Sequence, residues 1–452
     1  MIHLSTGNLS KISSDHGLGE DEIMSQSVHL EKFLEQISQL DLGFYRVIDD
    51  SDLLERVKKF AADTRGQYDD VVVLGIGGSA LGTICLQQSL KHLFSERIAA
   101  SAPSKFPRLM ILDNIDPILL TEAESVLDLK RTLFIVVTKS GSTPETIAQY
   151  LYFRSKCDEA GLQANEHFVF ITDPKDGFLR KLAGAVGQDL DERTGEDHHN
   201  FIPTFEVPQN VGGRFSVLTA VGLLPATLIG IDVEKLLDGA RTMRDLFLSK
   251  DSVKNMPFQL ATIQYLLYQK VKIMNVMIPY SQKLVRFADW YRQLLAESIG
   301  KKVNRKGEEI LVGITPINAL GVTDQHSQSQ LYNEGPNDKL HLFLKVQKLA
   351  SDLKIPNLYP EEKSLEYLNG VSFNELITTE MEGTKQALTQ NDRPNLTIEI
   401  EEVDEYALGE LFMLFEGATA FLGEFFDIDA FDQPGVELSK QITKKLLGER
   451  KN

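Results

Sequence analysis

The sequence predicts an α/β protein with two doubly wound parallel sheets and flanking helices. Three observations predict it. Short runs rich in β-branched and aromatic residues recur at helix-length intervals. The runs are nearly continuous in apolar residues rather than alternating, which marks strands covered on both faces. The same alternation of strand and helix patterns restarts in the second half of the chain, which points to a duplicated α/β unit.

The first sixty residues read as helices, one over His29 to Leu40 and one starting at Asp50 or Ser51, either of which can cap it. Strands follow at Val71 to Ile76, Leu109 to Leu112, Leu133 to Val137 and His167 to Thr172. A doubly wound unit is therefore expected from about residue 65 to about residue 185. The segment GEDHHNFIPTFEVPQN reads as a loop, and GGRFSVLTAVGLLPATLIG turns sharply into an apolar helix. Further strands are expected at Val271 to Pro279, Glu308 to Thr315, Leu340 to Val346 and Leu396 to Val403. A helix over Ala288 to Lys301 separates the first two, and a long apolar helix over Glu405 to Phe426 follows the last. Asp352 to Arg393 reads as an acidic excursion between strands. This divides the chain into a helical segment (1–60), two α/β units (61–200 and 201–425) and a C-terminal helix (426–452).

Composition narrows the function classes. With 42% apolar and 25% charged residues the chain has the balance of a soluble globular protein. No apolar stretch approaches the ~18–20 residues of a membrane span. The start, MIHLSTGNLSKISSDHG, lacks the basic-then-apolar layout of a secretory signal. Cys85 and Cys157 match no zinc or redox spacing, so a reduced, cytoplasmic setting is expected. A net charge of −18 argues against nucleic-acid binding. It leaves a small anion possible, because a local array of N–H donors outweighs a distant, screened acidic surface.

Two loops ask for such an anion. LGIGGSALG (Leu74 to Gly82) and TKSGSTPET (Thr138 to Thr146) each join a strand to a helix, one βαβ step apart. Ligands of open parallel sheets bind outside the carboxyl ends of strands. Gly77 and Gly78 let backbone approach a ligand, and the helix starts behind the loops offer free N–H groups. Hydroxyls from Ser79, Ser140, Ser142 and Thr143, with Lys139, would complete a phosphate cradle. The G-x-G-x-x-A inside the first loop is a weak dinucleotide fingerprint. No acidic residue ends a strand at the ~20-residue spacing that a ribose contact needs, which disfavours a nicotinamide dehydrogenase. Adjacent His198 and His199 rarely converge on one metal ion and have no ligand-spaced partners, so they read as a solvated loop.

Six blocks resemble the glucose-6-phosphate isomerases, which are built from two sugar-isomerase (SIS) domains. They are GIGGSALG, the hydroxyl loop, GGRFSVLTAVGLLPA (Gly212 to Ala226), QLLAESIGK (Gln293 to Lys301), DQHSQSQL (Asp324 to Leu331) and DQPGVELSK (Asp432 to Lys440). They keep the family's order and run from residue 75 to 440, so the resemblance covers nearly the whole chain. The resemblance implies two SIS-type, flavodoxin-like sheets and interconversion of glucose 6-phosphate and fructose 6-phosphate, in glycolysis and gluconeogenesis, without metal or other cofactor. It implies that Gly78, Ser79 and Thr138, Lys139, Ser140, Gly141, Ser142 and Thr143 hold the sugar phosphate. Glu297 becomes the base that moves a proton between C2 and C1, with Arg214 and Gln293 facing the enediolate. His326 and Lys440 serve ring opening, and Gln433, a further substrate-binding candidate, would help to orient Lys440. The C-terminal helix thereby contributes to the site. The family's histidine comes from the partner subunit, so a homodimer with shared sites is implied.

The residues suit that chemistry on their own terms. One carboxylate can act as base and then acid if it sits over both carbons. Glu297 follows Trp290 by seven residues, Gln293 by four and Leu294 by three, so all share one helix face. Arg214 offers a permanent charge and planar donors to an enediolate. Asp324 is a candidate helix N-cap two residues before His326. A phosphosugar sensor that had lost the chemistry would be expected to lack Glu297 or Arg214, and this chain has both. Added action on mannose 6-phosphate is a further alternative that turns on one hydroxyl's orientation.

Overall fold

The computed structural model describes residues 2–95, 105–183 and 201–449. Along the chain lie β1 (His3–Ser5), β2 (Asp70–Leu74), β3 (Arg108–Leu112), β4 (Thr132–Val137), β5 (Phe168–Thr172) and β6 (Thr204–Glu206). Next come β7 (Met274–Pro279), β8 (Lys301–Val303), β9 (Glu309–Val312), β10 (Thr315–Asn318), β11 (Lys339–Val346) and β12 (Asn395–Ile400). The first sheet runs β3-β2-β4-β5-β6, all parallel. The second runs β1-β12-β11-β7-β10, parallel except for β1, which pairs antiparallel with β12.

In both sheets the first parallel strand lies between the second and third, the flavodoxin-like order. The strands of the apolar runs are covered on both faces: every residue of β2, β4 and β5 is buried. One face of the first sheet (Val71, Val73, Ile135) shares a single core with the second sheet (Met277, Leu342, Ile398). The helix Glu405–Phe425 runs through that core, buried from Ala407 to Glu424. Burying each large apolar side chain there contributes ~1.5–3 kcal/mol. The outer face of the first sheet (Val72, Phe134, Phe170) packs against Tyr150 and Phe153 of the helix Pro144–Glu159. No helix among the described residues is long and apolar enough to cross a membrane.

Several expectations need correction. The first sixty residues do contain the helix Leu30–Gln39 and the Asp50-capped helix Ser51–Asp63, but they begin with β1. That strand is only three residues long, too short to show a period. The segment read as a loop before GGRF supplies β6, a three-residue edge strand. The run Glu308 to Thr315 is not one strand. It divides at Gly313 into β9, paired with β8 in a separate hairpin, and β10, which joins the sheet. β9 is exposed at alternate positions, as a two-stranded hairpin outside the sheet must be. The acidic excursion holds an 18-residue helix, Phe373–Gln390, capped by Ser372.

Candidate active site

The switch point of the first sheet lies between β2 and β4, and both anion-candidate loops leave from there. After β2, Gly77, Gly78 and Ser79 form a 3-10 turn that leads into the helix Leu81–Leu90. Gly77 is left-handed at φ +57°, and a Cβ there would lie 2.8 Å from Nε2 of Gln293. A Cβ on Gly78 would lie 2.2 Å from the Gly213 carbonyl oxygen and 2.7 Å from the Arg214 nitrogen. The glycines therefore let the GGS turn touch the GGR turn and the helix that carries Gln293.

After β4, three hydroxyls form a triangle. Thr138 Oγ1 is 2.7 Å from Thr143 Oγ1 and 3.4 Å from Ser140 Oγ, and Ser140 is 3.3 Å from Thr143. Gly141 turns the loop at φ +63°, and the Ser142 amide donates to Ser140 Oγ at 3.3 Å. Thr143 sits at the N-cap of the helix Pro144–Glu159, yet its hydroxyl makes no capping bond. The helix behind the GGS turn has no side-chain cap either. Both helix starts thus keep first-turn N–H groups for an anion. Lys139 does not turn toward this cup: its Nζ donates to the Gln209 carbonyl at 2.8 Å, and burial pulls its pKa down against the attraction of Asp173.

Arg214 and Glu297 meet beside the GGS turn. Arg214 lies in the 3-10 turn Gly213–Phe215, with its side chain only 2% exposed. Its Nε donates to Ser298 Oγ at 2.7 Å and its Nη1 to Gln433 Oε1 at 2.7 Å. Its Nη2 donates to the carbonyls of Ala430 at 2.5 Å and Asp432 at 3.1 Å. A guanidinium has five N–H bonds, so these four acceptors leave one on Nη1. Nη1 lies 3.6 Å from Oε2 of Glu297. Burial lowers the Arg214 pKa, opposed chiefly by Glu297, but a guanidinium stays charged at neutral pH.

Glu297 sits in the last turn of the helix Val285–Ile299, with its side chain 31% exposed. Its Oε1 accepts from Gln293 Nε2 at 3.2 Å, the i, i+4 partner on the same face. The carboxylate is therefore held on two sides and reaches solvent on another. Four residues on, Lys301 is nearly buried at 6% side-chain exposure. Its Nζ donates to the carbonyls of Glu297 at 3.0 Å and Asp432 at 2.7 Å and pairs with Asp432 Oδ1 at 3.0 Å.

The structure thus brings together Gly78, Arg214, Gln293, Glu297 and Gln433. Gln433 faces Arg214 rather than Lys440, as the expected pairing would have had it. Lys440 projects from the C-terminal helix Glu437–Glu449, exposed and bonded to Glu437 at 2.7 Å. His326 is exposed at the end of the 3-10 turn Thr323–His326. Asp324 is not a helix N-cap. It lies within that turn, and its carboxylate reaches back to the Leu320 amide at 2.7 Å. No hydrogen bond among the described residues joins His326 or Lys440 to Glu297. His198 and His199 lie outside the described residues. Ser298, Lys301, Ala430 and Asp432 were not singled out from the sequence, although all but Ala430 stand inside the quoted motifs. Ala430 and Asp432 hold Arg214 through backbone carbonyls, which no side chain advertises.

Fold and site together define a doubly wound α/β protein with a cup of hydroxyls at one sheet's switch point and a carboxylate held beside a buried guanidinium. The family model described as Phosphoglucose isomerase matches residues 51–452. A glucose-6-phosphate isomerase of Carboxydothermus hydrogenoformans is 42% identical over 441 residues, covering 95% of this chain and 91% of that one. A probable glucose-6-phosphate isomerase of Methanococcus maripaludis is 35% identical over 97% of this chain and 92% of its own length. Among solved structures, a hypothetical protein from Thermus thermophilus superposes with TM-score 0.84 at 33% identity, covering 99% of this chain and 100% of that one. A glucose-6-phosphate isomerase from Chlamydia trachomatis shares the fold, with TM-score 0.79 at 21% identity over 99% of this chain and 92% of that one. The chain belongs to the phosphoglucose isomerase family.

Proposed function

We propose that this chain interconverts D-glucose 6-phosphate and D-fructose 6-phosphate through a cis-enediol(ate), a step of glycolysis and gluconeogenesis. The observation that carries the reading is the carboxylate of Glu297, set between Gln293 at 3.2 Å and Arg214 at 3.6 Å beside the GGS turn. In the mechanism the phosphate rests in the Thr138–Thr143 cup and at the GGS turn, on hydroxyls and helix-start N–H groups. Once the ring is open, Glu297 takes the proton from the carbon beside the carbonyl and returns it to the neighbouring carbon. The remaining Nη1 hydrogen of Arg214 meets the negative charge that builds on the enediolate oxygens, where a preorganised donor is most effective. His326 and Lys440 assist ring opening.

His326 and Lys440 are exposed and share no hydrogen bond with Glu297 among the described residues, and a homodimer accounts for this by completing each site with the partner's histidine. The C-terminal helix supports that assembly. It has no buried residue, and Leu438, Ile442 and Leu446 repeat every fourth position on its exposed surface. The excursion before the helix Phe373–Gln390 likewise exposes Leu358, Tyr359 and Tyr367. Free, buried Cys85 and Cys157 agree with a reducing cytoplasm. A coupled assay of the purified protein with fructose 6-phosphate tests the activity. Steady formation of glucose 6-phosphate is expected, and no turnover above the uncatalysed rate would overturn the reading.

A further inference from the structure

We infer that Lys301 is a positioning residue for Glu297, acting with Asp432 as a clamp on the last turn of the Glu297 helix. The inference rests on the isomerase reading above.

The geometry begins with the helix end. An α-helix leaves its last carbonyls without intrahelical partners. In Val285–Ile299 the Ala296 carbonyl is taken by the Gly300 amide at 3.1 Å. The next carbonyl, that of Glu297 itself, is taken by Lys301 Nζ at 3.0 Å. A lysine that caps a helix end in this way satisfies the carbonyl and suits the helix dipole. Gly300 ends the helix in extended backbone and lets the chain turn back into β8, which brings the lysine over the turn it has just left.

The same ammonium group donates to the Asp432 carbonyl at 2.7 Å and forms an ion pair with the Asp432 carboxylate at 3.0 Å. Three protein oxygens thus hold the ammonium group in place. The Asp432 carbonyl also accepts from Arg214 Nη2 at 3.1 Å. One backbone carbonyl thus joins the lysine that holds the Glu297 turn to the arginine that faces the Glu297 carboxylate. The adjacent residue, Gln433, accepts from Arg214 Nη1. Base and guanidinium come from segments more than eighty positions apart in sequence, at 214 and 297, and this knot fixes their spacing. Removing Lys301 frees the last helical turn and leaves the Asp432 carbonyl bonded to Arg214 alone among the described residues. A carboxylate that must straddle two carbons is sensitive to such slack, since a shift of ~1 Å costs on the order of 10²-fold.

The test compares wild type, Lys301→Met, Lys301→Arg and Asp432→Asn in the coupled fructose 6-phosphate assay. Calorimetric binding of sorbitol 6-phosphate, which has no carbonyl to isomerise, is measured in parallel. Lys301→Met is expected to lower kcat by roughly 30–100-fold. KM and sorbitol 6-phosphate affinity should stay within about threefold, since Lys301 is held by protein oxygens and acts through Glu297. Lys301→Arg should recover part of kcat. Asp432→Asn, which keeps the carbonyl, should show a smaller loss of the same kind, and the double variant Lys301→Met/Asp432→Asn should be no worse than Lys301→Met. A folded Lys301→Met with wild-type kcat and only a lowered melting temperature would overturn the inference. If that variant fails to fold, wild-type kcat in Asp432→Asn overturns it instead. Absence of isomerisation in wild type is a separate outcome that removes the functional reading itself.

Discussion

Replacing Arg214 by lysine keeps the charge and removes the fork. The guanidinium reaches four protein acceptors from three nitrogens: Ser298 Oγ, Gln433 Oε1 and the carbonyls of Ala430 and Asp432. An ammonium group has three donors on one atom and cannot span that set. At least one charge-assisted bond is lost, worth ~1.5–3 kcal/mol, and a buried acceptor left without a donor costs ~1–3 kcal/mol. The two figures overlap for one site, so a stability loss of ~2–4 kcal/mol is expected from urea unfolding. The kinetic loss comes from the fifth N–H, the one beside Glu297. Deleting a preorganised donor at the seat of developing charge costs ~10²–10³ in kcat. The measurement is kcat and KM in the coupled assay, on protein shown to be folded by circular dichroism. A folded Arg214→Lys with wild-type kcat and a raised KM would refute the reasoning, because Arg214 would then bind the ground state only.

Other expectations follow from the same geometry. Gly78→Ala puts a Cβ 2.2 Å from the Gly213 carbonyl oxygen and should separate the GGS and GGR turns, lowering kcat/KM by ~10²-fold. Gly213→Ala meets nothing within 4 Å and should lower kcat/KM much less, and equal losses would contradict the contact. Glu416 is fully buried in the helix Glu405–Phe425 with neither oxygen bonded, and burial raises its pKa well above the usual carboxylate value. Its folded pKa exceeds its unfolded one, so its effect on stability is absent below the unfolded pKa and turns against folding as pH rises toward the folded pKa. Within that window wild type should lose up to ~1.4 kcal/mol per pH unit relative to Glu416→Gln. Parallel urea-midpoint profiles for the two proteins from pH 4 to 8 would contradict this. If the histidine comes from the partner, mixing inactive His326→Ala and Glu297→Gln subunits with exchange should restore about a quarter of wild-type activity, through mixed dimers with one intact site. No recovery after proven exchange would place His326 in its own subunit's site.

The sheet strands were legible because covering both faces forces continuous apolar runs, and β2, β4, β5 and β11 fall where those runs are. Short edge elements were not. β1 and β6 have three residues each, and their place comes from neighbours distant in sequence, β1 from β12 and β6 from β5. Helical spacing gave the Gln293–Glu297 contact directly. The contact of Arg214 with Glu297 required two turns to meet at Gly78, which spacing alone does not encode. The clamp on Arg214 was hidden for a different reason, because half of its hydrogen bonds end on backbone carbonyls. Lys139 shows the converse: its residue type suited a phosphate, while the fold sends it to Gln209.

In the proposed mechanism one carboxylate carries the proton between adjacent sugar carbons. The direct measurement is Glu297→Gln assayed on fructose 6-phosphate in deuterated water, with isomerisation and solvent exchange at C1 followed together and sorbitol 6-phosphate affinity as the control. Both rates should fall by ~10²–10⁴-fold or more while affinity is kept. Isomerisation and exchange at wild-type rates in the folded variant would show that some other group moves the proton.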